Sequence, residues 1–121
     1  MAAKLSCDER VHPPLQKLSS HKTGLLYVNE YTEESQFLNF HMDSVKMFDE
    51  LIIGVSLGAP CYFSFARGSQ VVDVLLPPRS AYFMTGSARF DFNHGLKLGS
   101  LHGPLRISLT YRTIVDSALV E

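Results

Sequence analysis

The sequence predicts an all-β domain, a sandwich or a barrel. Three observations carry this expectation. Short apolar segments recur at regular spacing from Leu25 onward, with Gly and Pro between them. Segments such as Cys61–Ala66 and Arg106–Arg112 alternate with the two-residue period of a strand. Outside the neighbourhood of Leu15–Leu18, no sustained helical periodicity is present.

The elements follow in order. Leu25–Tyr31 is aliphatic and aromatic, and Phe37–Phe40 is short and aromatic-rich. Leu51–Leu57 is a continuous apolar run, as in a strand buried on both faces. Pro60 punctuates before Cys61–Ala66. Val71–Leu76 stops at Pro77-Pro78, Ser80–Thr85 stops at Gly86, and Phe90–Phe92 is read as a further strand. Leu105–Arg112 is the last strand, and one helical turn is expected within Asp43–Glu50.

The 121 residues suffice for one domain with one core. The expected division is an N-terminal extension over 1–24, partly ordered, a β domain over 25–114 and a tail over 115–121. A 45% hydrophobic, 19% charged composition excludes disorder as the default. No apolar run approaches the roughly 20 residues of a membrane helix. Met1–Arg10 has no apolar stretch and carries Asp8 and Glu9, unlike a signal peptide, so an intracellular site is expected. Cys7 and Cys61 have no metal-site or redox spacing and read as free thiols. A net charge of −1 gives no bulk attraction to polyanions. Contact with nucleic acid would rest on a local patch drawn from Lys4, Arg10, Lys17, Lys22, Lys46 and Arg67.

Four patterns bear on chemistry. In a strand, His41 and Asp43 share one face, so an imidazole and a carboxylate can reach one metal; the same pattern also suits a solvent-facing His and a turn Asp. His94 lies beside Gly95, which would let the backbone turn, and is either a satisfied histidine or a third ligand. Two His and one carboxylate form a facial triad that leaves half of an octahedral ion open, as non-heme Fe(II) requires. In Arg106–Arg112, Arg106, Ser108, Thr110 and Arg112 share a face that points either to water or into the barrel. If it points inward, a buried guanidinium needs an anionic partner, and a dicarboxylate matches its paired donors. Asn29 and Tyr31 share a strand face and can donate to the same ligand.

Taken in chain order, Asn29-x-Tyr31, His41-x-Asp43, Val55–Gly58, Leu75–Ser80, Gly86–Arg89 with His94, and Arg106-x5-Arg112 closely resemble the AlkB family of Fe(II)/2-oxoglutarate-dependent dioxygenases. The resemblance covers about residues 25–114. It implies a double-stranded β-helix, or jelly roll, with His41, Asp43 and His94 as the iron ligands. It implies Arg106 as the anchor of the distal 2-oxoglutarate carboxylate and Asn29 and Tyr31 as cosubstrate contacts. Arg112 would lie near the other carboxylate, Ser108 would be a polar contact and Arg89 a supporting residue. Fe(II), 2-oxoglutarate and O2 are the implied cofactors, and oxidative demethylation of alkylated bases in DNA or RNA is the implied reaction. Aromatics such as Phe37, Phe40, Tyr62 and Phe90 either stack on such a base or pack the core.

The sequence departs from the family pattern in places. No Pro-Gly turn precedes His41, and Val45 stands where some members carry an acidic residue. Only 24 residues precede the barrel, where nucleic-acid-acting members carry a lid. The segments Asp43–Lys46 and Gly86–Phe92 resemble a mitochondrial branch of the family. Two alternatives follow: the same chemistry on a protein side chain, and a lid-less truncated isoform with little activity. Cytoplasm or nucleus is expected rather than mitochondrion, and the oligomeric state stays open.

Overall fold

The computed structural model of the chain describes residues 24–115. Its elements are β1 Gly24–Tyr31, β2 Leu38–His41, β3 Phe48–Gly58, β4 Cys61–Arg67, β5 Gln70–Leu76, β6 Ser80–Met84, α1 Gly86–Phe90, β7 Asn93–Leu96 and β8 Arg106–Ile114. The strands form two four-stranded sheets, in the orders β1-β8-β3-β6 and β2-β7-β4-β5. All their pairings are antiparallel. The chain passes from one sheet to the other at every connection except β4 to β5, which is the expected double-stranded β-helix. That one hairpin turns on Gly68-Ser69, with Gly68 at φ +59°.

The sequence pattern follows from each strand's place. β3 lies inside its sheet, and its residues are buried on both faces. Leu51 and Ile53 pack with Tyr111 in one cluster, whereas Ile52 lines a cavity between the sheets. β3 therefore reads as a continuous apolar run. Tyr31, Cys61, Phe63, Leu76, Leu96 and Leu101 form the main core, with Leu38, Phe65 and Tyr82 packed on it. The Tyr82 ring lies directly over Gly54, in space that any side chain at position 54 would fill.

β8 decides the question its alternation left open. Arg106, Ser108 and Thr110 are buried, so the polar face points inward. β8 is hydrogen-bonded to β1 on one side and β3 on the other.

Two local expectations are corrected. Phe90–Phe92 is not a strand: α1 ends at Phe90, and β7 starts only at Asn93. The turn is held by Ser87 Oγ donating to Asp91 Oδ2 and by Asp91 N donating to Ser87 O. Both rings lie under guanidinium groups, Phe90 with Arg89 and Phe92 with Arg67, so their spacing reflects cation–π contacts. Gly95 does not turn the backbone but lies within β7, where a Cβ would meet Leu38 O at 2.6 Å. Its lack of a side chain lets β2 approach. The helical turn expected in Asp43–Glu50 exists as one hydrogen bond, Phe48 N to Ser44 O, after which β3 begins three residues ahead of Leu51. The extension over 1–24 and the tail over 115–121 lie, apart from Gly24 and Val115, outside the described residues.

Candidate metal centre and cosubstrate pocket

β2 and β7 are paired so that His41 stands opposite His94. Asp43 follows two residues beyond His41, just past the strand end. His41 Nε2 is 3.4 Å and His94 Nε2 3.7 Å from Asp43 Oδ1, and the imidazole centroids are 4.5 Å apart. The three ligand atoms lie within 4.8 Å of one another. These separations exceed ordinary hydrogen bonds and suit donors arranged around one ion. His41 Nδ1–H donates to Asn39 O at 2.7 Å, which leaves the Nε2 lone pair facing Asp43. His94 is buried between Phe63, stacked at 5.6 Å, and Phe65. The donor set of two imidazole nitrogens and one carboxylate oxygen fits a divalent transition metal.

Asp43 is buried and divided between two sets of neighbours. Oδ1 faces the histidines, and Oδ2 accepts from Arg112 Nε at 3.0 Å. Burial works against its charge, but the polar contacts from His94 and Arg112 and the Arg112 charge outweigh it. The carboxyl is held well below the usual carboxylate range. Arg112, expected near a cosubstrate carboxylate, is thus committed through Nε to Asp43, and its guanidinium lies over Tyr27 and Phe48.

Arg106 is 2% exposed. Its Nε donates to Ser56 Oγ at 3.0 Å, and its guanidinium lies over the Tyr31 ring. No described carboxylate pairs with it. Its neighbours supply no negative charge, because burial raises both the Tyr31 phenol and the Cys61 thiol, with the Arg106 charge opposing. A buried cation in this state calls for an anion from outside the chain. In register, Tyr31 stands opposite Arg106 and Asn29 opposite Ser108. All four line the same cavity as His41, Asp43, His94 and Arg112. Asn29 and Tyr31 also border a more open cleft with Glu30, Ser35, Gln36, Phe37 and Leu38.

Two residues of the site escaped notice in the sequence. Ser56 is wholly buried, and its one visible signal is a hydroxyl inside the apolar run Leu51–Leu57. Tyr82 lines the cavity and carries no local signal, whereas Thr110 lines it on the polar face that the alternation of β8 had marked. Arg89, with an uncertain role in the sequence, is fully buried and donates to main-chain carbonyls next to Asp43. Burial lowers its pKa, and the Asp43 charge opposes this.

This fold and this candidate site fit a metal-dependent oxygenase barrel. Residues 2–112 match the 2OG-Fe(II) oxygenase superfamily. An uncharacterized protein of Acanthamoeba polyphaga mimivirus is 30% identical over 112 residues, covering 84% of this chain and 53% of that protein. The tRNA (carboxymethyluridine(34)-5-O)-methyltransferase alkbh8 of Xenopus tropicalis is 34% identical over 92 residues, covering 74% of this chain and 14% of that protein. The solved structure of OsALKBH1 superposes with a TM-score of 0.59 at 20% identity, over 73% of this chain and 48% of that one, and shares the fold. This chain belongs to the 2OG-Fe(II) oxygenase superfamily, in its AlkB family. The chain spans about half or less of the length of these relatives. The family's cofactors are Fe(II), 2-oxoglutarate and O2, and His41, Asp43 and His94 form the candidate iron site. No helix among the described residues is long and apolar enough to cross a membrane.

Proposed function

We propose that this domain is the catalytic core of an Fe(II)- and 2-oxoglutarate-dependent dioxygenase that oxidatively demethylates alkylated bases in nucleic acid. One observation carries the chemistry: the imidazole–carboxylate–imidazole trio opens into the same cavity as a buried guanidinium with no described carboxylate partner. The nucleic-acid substrate is supported by the tRNA-directed name of one relative.

In this reading His41, Asp43 and His94 hold the iron, and Arg106 holds the distal carboxylate of 2-oxoglutarate. When bound, the iron and cosubstrate would supply hydroxylation of a C–H bond by O2, one oxygen atom entering the substrate and the other the succinate formed with CO2, and a hydroxylated N-methyl group would then depart as formaldehyde. The chain's own residues orient and shield. The Asn39 carbonyl fixes the His41 tautomer. Arg112 draws Oδ2 of Asp43 aside and leaves Oδ1 toward the histidines. Ser56 takes Arg106 Nε, so the terminal nitrogens remain for a ligand. Tyr31, Asn29 and Ser108 offer further polar contacts, and Phe63, Leu96 and Ile52 supply apolar lining.

Anaerobic titration with Fe(II) and 2-oxoglutarate tests binding through the visible charge-transfer band, and succinate release in air tests turnover. Formaldehyde release from methylated oligonucleotides tests the substrate. Turnover of 2-oxoglutarate with no formaldehyde from any methylated oligonucleotide would exclude that substrate class. A second reading, the same chemistry on a protein side chain, is favoured by the open cleft, whose lining holds Glu30 and no basic residue. Mass spectrometry of a basic peptide before and after reaction separates the two.

A further inference from the structure

Arg89 is the one fully buried cation in the described chain, at 0% exposure. It carries no ion pair at hydrogen-bond range among the described residues. It reaches from α1 across to the loop that leaves β2. Nη1 donates to Asp43 O at 2.7 Å, and Nη2 donates to Ser44 O at 3.0 Å and toward Phe48 O at 3.4 Å. Nε has no partner. The guanidinium therefore holds main chain at both ends of the turn closed by Phe48 N to Ser44 O. Burying a cation to bind three carbonyls is costly, and an apolar residue would fill the same space at less cost. What the arrangement secures is the position of the backbone on which the Asp43 side chain is mounted.

Asp43 thereby differs from the two histidines. His41 and His94 lie within paired strands, opposite each other on the β2–β7 ladder. Asp43 lies in the loop, outside any strand, so its position depends on other contacts. Two arginines supply them, Arg112 at the carboxylate and Arg89 at the carbonyl.

We propose that Arg89 is a positioning residue for the metal centre: by holding the Asp43, Ser44 and Phe48 carbonyls it sets where the Asp43 carboxylate stands relative to His41 and His94. The inference rests on the reading of those three side chains as metal ligands. It concerns a residue that touches neither metal nor cosubstrate.

The test uses the full chain and Co(II) as a spectroscopic probe, with wild type, Arg89→Lys and Arg89→Met. Co(II) affinity and the visible d–d spectrum are read by titration, and the melting temperature is read with and without Co(II). Arg89→Met is expected to bind Co(II) at least tenfold more weakly, with an altered spectrum and a reduced metal-induced rise in melting temperature. Arg89→Lys, which keeps a donor, is expected to recover part of all three. Unchanged affinity, spectrum and metal-induced rise in a folded variant, even with a lower metal-free melting temperature, would make Arg89 merely structural and overturn the proposal. Should both variants fail to fold, the wild-type chain decides through its Arg89 guanidinium NMR resonances on addition of diamagnetic Zn(II). Movement of those resonances supports the proposal, and their constancy overturns it. If wild type binds no Co(II), the ligand reading itself falls, which is a distinct result from variants that bind as wild type does.

Discussion

Arg106 gives its Nε–H to Ser56 Oγ across the β8–β3 ladder, 3.0 Å away and in the buried interior. The bond takes up the Nε–H of a guanidinium whose residue lines the cavity. Removing the hydroxyl leaves a buried donor unsatisfied, a loss of about 1–3 kcal/mol. Ser56→Ala is therefore expected to raise the KM for 2-oxoglutarate about tenfold, with metal affinity unchanged. Steady-state succinate release and Co(II) titration check the two halves. Arg106→Lys should remain impaired for 2-oxoglutarate, since an ammonium cannot supply parallel paired donors.

His41→Ala and Asp43→Ala should both abolish metal binding, yet differ in the metal-free chain. The His41 side chain is 39% exposed, and its loss should leave metal-free stability nearly unchanged. Asp43 is the described carboxylate that pairs with the mostly buried Arg112. Its removal strands that charge at a cost of roughly 3 kcal/mol. Denaturant unfolding of both variants without metal measures the difference.

Tyr82 supplies a pH prediction. Burial is the largest influence on its phenol and pushes it up to about 12 from 10. A raised value means the folded state favours the protonated form, so this stabilisation is complete below pH 10 and is lost as pH rises from 10 to 12. An alkaline absorbance titration should show a late-titrating phenol, and the melting temperature should fall across the same interval. Tyr82→Phe should remove the late phase.

Gly54→Ala is expected to destabilise by about 1–3 kcal/mol, because the new methyl meets the Tyr82 ring over one face of β3. Combining it with Tyr82→Ala should recover much of that loss, since the ring is what obstructs. Thermal unfolding of the single and double variants forms the cycle.

The fold was legible because seven of its eight strands are marked by spacing and by Pro or Gly, and the two-residue period separates their faces. Phe90–Phe92 misled because two aromatics flanking a polar residue look like a strand, whereas here each ring answers a guanidinium. Gly95 misled because close strand approach and turning both call for glycine, and only the neighbour's position tells them apart. The candidate iron-site trio was visible as residue types in order, but no sequence pattern states that His41 and His94 share a ladder rung. Arg89 was unreadable in a deeper sense. Its partners are carbonyls, which every residue carries, so no side chain in the sequence marks them.

β2 is a four-residue edge strand, and its register with β7 shifts between Leu38 and His41. Such a border is weakly fastened by main-chain bonding alone. An ion gripped by His41 on one strand and His94 on the next would act as a rivet through that seam. Loading the centre would then also seal the hem of the barrel, and stripping it would invite proteases to begin at residues 38–41.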